Sequence, residues 1–322
     1  MSSASATPNP AASFEPYRRR LLGLAYRMLG SMADAEDAVQ ETYLRWHKAD
    51  RDNVSDARAF LMTTTTRICL DMLTSARARH EEYVGPWLPE PVLDTAALAP
   101  DSRTELAEDL SIALLLTLDR LSPLERAAFL LHDVFDFSFS EIATALQRSE
   151  AACRQLASRA RAHVRTVRPR GASRPVSPKP RSGEGGSPAR TGEVDAKHAQ
   201  LMSAFMAATL SGDLDALTQM LANDVRVVTD GGGKVAAALN VLEGADHAAR
   251  FLVGAVRKGW RDDFTVRFAT INDLPSIIVD GPDGPLQTSS FEIDGDVVRA
   301  LYVVRNPDKL RRLAPDAAGG RP

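Results

Sequence analysis

SMADAEDAVQETYLRWHK, residues Ser31 to Lys48, is the stretch around which the remaining sequence orders itself. Ser31 is a good helix N-cap, and Asp34 falls where a carboxylate meets free amides and the positive end of the helix dipole. Ala35, Ala38, Val39, Thr42, Tyr43 and Trp46 recur at helical spacing and form the face to bury. Asp34, Asp37, Glu41, Leu44, Arg45 and Lys48 share another face. A charged stripe by itself reads as a solvated face with a few ion pairs. Two neighbours in the chain argue for more: a Thr-rich and then Arg-rich helix directly after it, and a helix–turn–helix pattern well downstream.

Upstream, Phe14 to Leu29 carries Tyr17, Leu21, Leu24, Ala25, Met28 and Leu29 at helical spacing, with Gly30 as C-cap. Downstream, a polar loop from Asp50 to Ser55 leads to a helix predicted over Asp56 to Ala78, with Phe60, Leu61, Ile68, Cys69, Met72 and Leu73 on its core face. Thr63, Thr64, Thr65 and Thr66 are mediocre helix formers. They are either a hydroxyl-bearing face for another polymer or half-buried packing residues. Arg67, Arg77, Arg79 and His80 gather with Asp71 as the one acid among them, although cations near a helix C-terminus also suit the dipole.

A second helical unit begins with a helix predicted over Thr104 to Leu121, burying Leu106, Leu110, Ala113, Leu114 and Leu118. Ser122-Pro123-Leu124-Glu125 is a capping box with Pro at the first helical position, opening a helix to about Val134. Ser138 to Glu141 is a second box and opens a short helix over Ile142, Ala143 and Leu146. After a turn at Gln147-Arg148, Ser149 caps a longer helix, Glu150 to Arg165. Short helix, tight turn and longer helix make the helix–turn–helix pattern. The longer helix carries Arg154, Gln155, Ser158, Arg159 and Arg161, and no acid occurs from Ala151 to Gly183. Phosphate neutralisation and base-edge contacts both use such groups; the alternative is a basic surface helix of a bundle.

The chain has 322 residues, enough for two or three domains, with 44% hydrophobic and 25% charged residues, ordinary for a soluble globular protein. A net charge of −3 argues against a uniformly basic nucleic-acid binder, so DNA contact must come from local basic patches. Cys69 and Cys153 each fall in an apolar-periodic helix and read as small core residues, which suits a reducing cytoplasm. The opening MSSASATPNPAAS lacks the basic and apolar regions of a signal peptide and reads as a disordered tail, and no apolar run is long enough to span a bilayer. The expected location is cytoplasmic.

These stretches resemble a known family. ADAEDAVQETYLRW is similar to the polymerase-docking helix of the extracytoplasmic-function (ECF) class of bacterial RNA polymerase sigma factors. ARAFLMTTTTRICLDMLTSARAR resembles their promoter-melting helix, and LDRLSPLERAAFLLHDVFDFSFSEIATALQRSEAACRQLASRARAHV their second DNA-binding domain. The resemblance implies roles. Asp34, Asp37, Gln40, Glu41 and Leu44 would dock on the clamp helices of the beta-prime subunit of core RNA polymerase. Thr63, Thr64, Arg67, Asp71, Arg77 and Arg79 would bind and open the minus-10 element, threonines supplying small polar pockets for unstacked bases. Arg148, Ser149, Arg154, Gln155, Ser158 and Arg159 would read the minus-35 element of promoter DNA.

Between the helical units, Glu81 to Asp101 contains Tyr83-Val84-Gly85-Pro86-Trp87-Leu88-Pro89-Glu90-Pro91, which cannot form a regular helix and reads as an extended linker with an anchoring aromatic. Pro169 to Glu193, rich in Arg, Pro, Ser and Gly, reads as a second, flexible linker. Val194 to about Leu310 has a different texture. A helix over Val194 to Leu210 and another from Gly212 precede strand-like runs at Val225–Thr229, Lys234–Val241, Phe264–Ile271, Ser276–Val279, Thr288–Ile293 and Val297–Arg305, with a helix over Ala245 to Lys258 among them. Helices followed by an antiparallel meander make an α+β domain.

WLPEP, GDLDALTQMLANDVRVVTDGGGK and VRNPDKL resemble the SigJ-like subgroup of the same class, which carries a SnoaL-like (NTF2-like) C-terminal extension, a curved antiparallel sheet around a pocket that would take a small-molecule ligand. The expected architecture is therefore multidomain: two all-α sigma domains, the second with a helix–turn–helix, plus this α+β domain. The expected divisions are a tail at 1–13, region 2 at 14–80, the WLPEP linker at 81–103, region 4 at 104–168, a disordered linker at 169–193, the SnoaL-like domain at 194–310 and a tail at 311–322. Asp230-Gly231-Gly232-Gly233-Lys234 is incomplete as a phosphate loop and ordinary as a hairpin turn between two strands. The resemblance implies a regulatory contact between it and the sigma core, with Trp87, Leu88 and Pro89 of the linker, in place of a separate anti-sigma factor.

Two other classes of function fit less of the chain. A ligand-controlled helix–turn–helix regulator explains Ser138 to Arg165 but not the docking helix. An isomerase- or cyclase-type enzyme would draw on Asp224, Asp230, His198 or His247, of which no two sit at a spacing that signals acid–base chemistry. No His/Cys cluster signals a metal, and no cofactor is expected.

Overall fold

The computed structural model describes residues 9–80, 83–93, 95–98, 109–167 and 196–314. They fall into two units, one built from 9–80, 95–98 and 109–167 and the other from 83–93 and 196–314.

The first unit is all-helical. Helix α1 (Pro10–Leu29) starts inside the stretch expected to be a tail, because the Asn9 side chain caps it and Pro10 suits the first helical position. It ends at Gly30, whose φ of 69° is the left-handed conformation that a side chain would disfavour. Helix α2 (Met32–Lys48) has the expected Ser31 cap, and Ala35, Ala38, Val39, Thr42 and Trp46 are buried. Helix α3 (Ala57–His80) packs against both. A 3₁₀ turn at Thr95–Leu98 also meets α1.

The helix expected from Thr104 is shorter where it is described. Ser111 caps α4 (Ile112–Asp119), and its amide donates to the Asp109 carboxylate, so the chain is still turning at 109–111; residues 104–108 lie outside the described residues. Both capping boxes form, at Ser122/Glu125 and Ser138/Glu141, opening α5 (Pro123–Phe129) and α6 (Phe139–Leu146). Residues Leu130–Val134 continue α5 as a π-helix. Gln147, with φ 54°, makes the turn into α7 (Glu150–Val167).

The second unit packs α8 (Ala196–Ser211), α9 (Leu214–Met220) and α10 (Ala245–Gly259) on a six-stranded sheet. The strands are β1 (Leu221–Asp230), β2 (Leu242–Glu243), β3 (Thr265–Ile271), β4 (Leu274–Gly281), β5 (Gly284–Asp294) and β6 (Val297–Val304), in the order β2-β1-β6-β5-β4-β3. Strands β3 to β6 form the antiparallel meander, but β1 pairs with β6 in parallel, so the sheet is mixed rather than antiparallel throughout. Met202, Phe205, Val227, Ile277, Phe291 and Leu301 meet in its core, with Phe205 edge-on to Phe291 at 5.2 Å. Each such side chain removed from water contributes about 1.5–3 kcal/mol.

The strand expected over Lys234 to Val241 does not form. Its backbone groups are drawn elsewhere: the Lys234 and Val235 amides donate to the Gly231 carbonyl, the Ala238 amide to Thr229 Oγ1, and Arg305 to the Ala236 carbonyl. Asp230 to Lys234 is therefore the start of a long irregular loop and not a hairpin turn. A helix α11 (Pro307–Leu310), capped by Asn306, closes the unit.

Candidate functional site

On α2 the packing leaves one face outward. Asp37 and Gln40 are exposed, Asp34 and Glu41 are half-buried, and Leu44 keeps 44% of its surface in solvent. Glu41 and Arg45 pair at 2.9 Å across one helical turn, which holds the carboxylate beside Leu44. The outward face of α2 is thus mainly acidic, with Leu44 as the exposed apolar side chain on it.

The threonine run of α3 divides into two pairs. Thr65 and Thr66 are buried, and their hydroxyls donate to the Leu61 and Met62 carbonyls one turn back; Thr65 Oγ1 also lies 2.9 Å from Thr42 Oγ1 of α2. These two are packing residues. Thr63 and Thr64 lie at the half-exposed edge, with Arg67 and the exposed Asp71 farther along the helix. Arg67 donates to the Ala145 and Thr144 carbonyls at the end of α6. The side chains of Arg77 and Arg79 lie outside the described residues.

The α6–turn–α7 element presents Arg148, Ser149, Arg154, Gln155, Ser158 and Arg159 on one exposed surface, while Cys153, Leu156, Ala157 and Ala160 face the core. Arg154 pairs with Glu150 at 2.9 Å in solvent, where such pairs are worth little and yield readily to phosphate, and the exposed Arg159 pairs at 2.9 Å with the half-buried Glu125. Arg161 differs: it pairs with Asp133 through two contacts of 2.8 and 3.1 Å and fastens α7 to the π-helix. Cys69 and Cys153 are fully buried, and burial pushes both thiols up, as for inert core cysteines.

The second unit has its own centre at Asp230, which is fully buried. Its carboxylate accepts from Tyr83 Oη at 2.5 Å, the Leu88 amide at 2.9 Å, Lys309 Nζ at 2.7 Å and the Gly232 amide at 3.0 Å. Lys309 also donates to the Leu88 carbonyl and lies 4.5 Å over the Trp87 ring. Asn306 Nδ2 donates to Tyr83 Oη at 3.0 Å. Burial and the adjacent Asp230 carboxylate raise the Tyr83 hydroxyl well above the ordinary phenol range, which keeps it a donor. Gly232, at φ 60°, leaves no room for a side chain, since a Cβ there would meet Asn306 Nδ2 at 2.3 Å. The connector continues with buried Glu90, paired to Arg312 at 3.2 Å, and with Val92, whose amide and carbonyl both bond Asn272.

This cluster brings together Leu88, Asp230, Gly232 and Trp87 of the expected contact. Pro89 is buried beside them, and Gly231 and Gly233 belong to the same turn. Lys234 points away and pairs with Asp308 in solvent. Tyr83, Asn306 and Lys309 were not singled out as site residues, though Asn306 and Lys309 stand in the VRNPDKL run, the one signal that pointed to them. Among the described residues no group of three or more His, Cys, Asp or Glu side chains gathers to hold a metal, and no helix is long and apolar enough to cross a membrane.

Two helical units, one with an exposed acidic helix face and a threonine–arginine helix, the other with a helix–turn–helix, have the make-up of a promoter-specificity subunit of RNA polymerase. The sequence matches Sigma-70 region 2 over residues 14–79 and Sigma-70, region 4 over residues 111–164. It is 37% identical to the ECF RNA polymerase sigma factor SigJ of Mycobacterium tuberculosis, over 96% of this chain and 97% of that one. It is 34% identical to the ECF RNA polymerase sigma factor SigG of the same organism over 232 residues, 65% of this chain and 58% of that one. The crystal structure of Mycobacterium tuberculosis SigJ superposes with a TM-score of 0.66 at 34% identity, covering 93% of this chain and 97% of that one. The chain belongs to the extracytoplasmic-function class of RNA polymerase sigma factors. As such it directs core RNA polymerase to promoter DNA and promotes initiation; a helix–turn–helix regulator that never docks on polymerase is not favoured.

Proposed function

We propose a division of this work among the surfaces described. Asp34, Asp37, Gln40, Glu41 and Leu44 of α2 dock on the clamp helices of the beta-prime subunit. Thr63, Thr64, Arg67, Asp71, Arg77 and Arg79 of α3 engage and open the minus-10 element. Arg148, Ser149, Arg154, Gln155, Ser158 and Arg159 read the minus-35 element in a major groove. The outward face of α2 and the basic face of α7 support these roles.

The C-terminal extension regulates through the connector between region 2 and region 4, and not by turnover. The observation that carries this is the buried Asp230 carboxylate with four donors, two of them from the connector. A connector fastened in this way is withheld from other paths through a polymerase. The same four donors leave Asp230 no lone pair for general-base work, and Asp224 and His247 are exposed on the surface. Run-off transcription with core polymerase tests the proposal by comparing the wild-type chain with Asp230→Asn. A changed rate of initiation at equal polymerase binding supports it. Equal rates with a released connector would refute it.

A further inference from the structure

The helix–turn–helix carries an aromatic stack that none of the roles above uses. Phe139 is the first residue of α6, where the Ser138/Glu141 capping box fixes the backbone. Its half-buried ring lies 4.2 Å from the His132 ring, the two planes inclined by 31°. His132 belongs to the π-helical turn Leu130–Val134, and its Nδ1 donates to the Phe137 carbonyl at 2.8 Å, which holds the imidazole against Phe139. The neighbouring Asp133 holds Arg161, so one π turn aims two successive side chains at the same element. The Arg154 guanidinium of α7 lies over the Phe139 ring, 5.0 Å from its centre.

What the ring does for Arg154 emerges beside the other arginines of that surface. Arg148 donates to the carbonyl of its own neighbour Gln147, and Arg159 reaches across to Glu125. Among the described residues, Arg154 is the one member of this surface with an aromatic ring beneath its guanidinium. An arginine on an exposed helix face samples many rotamers, and ordering it on a base costs affinity. A guanidinium stacked on a ring is limited to the rotamers that keep the stack, while the N–H donors in its plane stay free at the edge. Glu150, at 2.9 Å, takes one of these donors and leaves the others for a base. A cation–π contact at an exposed site favours the stacked state by a factor of roughly two to five.

We propose that Phe139, braced by His132, is a positioning residue for Arg154. Its ring is a shelf that holds the guanidinium ready on the exposed surface, and so sets how sharply the minus-35 element is discriminated at the base pair that Arg154 reads. Phe139 needs no contact with DNA to do this. The inference rests on the reading of Arg154 as a base contact.

The test is a double-mutant cycle on the full chain bound to core polymerase, read by competition between a promoter duplex and its single-base variants. Phe139→Leu, which keeps an apolar side chain and removes the π face, should lower discrimination at the base pair read by Arg154 roughly two- to fivefold and leave other positions unchanged. Phe139→Tyr should retain it. The salt dependence of binding should keep its slope, because no phosphate contact is lost. In an Arg154→Ala background, Phe139→Leu should change nothing further. A loss that persists in that background, or a shallower salt slope, means that the ring touches DNA itself and overturns the proposal. An equal loss at all positions marks a merely structural role and also overturns it, as does wild-type discrimination by Phe139→Leu. Discrimination that survives Arg154→Ala intact would sink the base-reading role of Arg154, and the shelf with it. If Phe139→Leu loses its helical circular dichroism, the wild-type chain decides. The Arg154 Hε resonance, identified by its disappearance in Arg154→Lys, should be shifted upfield by the Phe139 ring current; an unshifted resonance would overturn the shelf.

Discussion

Asp230→Asn is the substitution that probes the regulatory centre most sharply. The amide matches the carboxylate in shape but has one acceptor oxygen where four donors converge, and its NH₂ must face at least one of them. Lys309, 12% exposed, is left without its counter-charge. Removing one partner of a buried pair costs about 3–5 kcal/mol, because the other charge stays desolvated. The Leu88 amide reads this locally, since it donates to Asp230 itself. A loss of about 3 kcal/mol in the opening free energy speeds its hydrogen exchange about 150-fold. The Val92 amide, held separately by Asn272, should change much less. Adding Lys309→Met removes the stranded charge and should recover most of the protection, a coupling that a mutant cycle measures. Leu88 exchange within threefold of wild type in the D230N protein would refute the reasoning, whatever happens to transcription.

Three further outcomes are expected. Leu44→Asp should weaken binding to core polymerase at least about tenfold, as loss of a central apolar anchor does, with duplex DNA binding unchanged in a mobility-shift assay. Arg154→Ala should cost about 1–3 kcal/mol of affinity for a promoter duplex and relax discrimination at one base position, read by competition with single-base variants. Stability should fall as pH rises above about 10, because tyrosine ionises there in the unfolded chain while folded Tyr83, raised by burial and Asp230, still holds its proton. Tyr83→Phe should make that decline in melting temperature shallower, although Tyr302, raised by burial and by Glu292, keeps part of it.

The helical half was largely legible because its signals are local. Ser31, Ser122, Ser138 and Ser149 each declare a helix start through a side chain three residues from the amide it meets. The exposed faces of α2 and α7 follow from helical spacing once their buried residues are recognised. The site in the second unit was only partly legible, since Tyr83 and Asp230 are 147 residues apart and nothing near either one announces the other. Lys234 to Val241 is a mostly apolar run of strand length, but the Thr229 hydroxyl and the Gly231 carbonyl took the backbone bonds a strand would have needed. The parallel pairing of β1 with β6 is likewise set by what packs beneath the sheet, and no neighbouring residue encodes it. The threonine run, which the sequence leaves open between a polymer-facing surface and half-buried packing, divides between the two: Thr65 and Thr66 are inside the core and Thr63 and Thr64 at its edge.

The most direct test of the account is run-off transcription from a promoter selected out of a random-sequence pool, with core polymerase supplied with wild-type chain or with Leu44→Asp. The account predicts specific initiation with the wild type and little with the variant, although both still bind the promoter duplex. Equal initiation by the two chains would contradict the assignment of α2 as the polymerase-docking face.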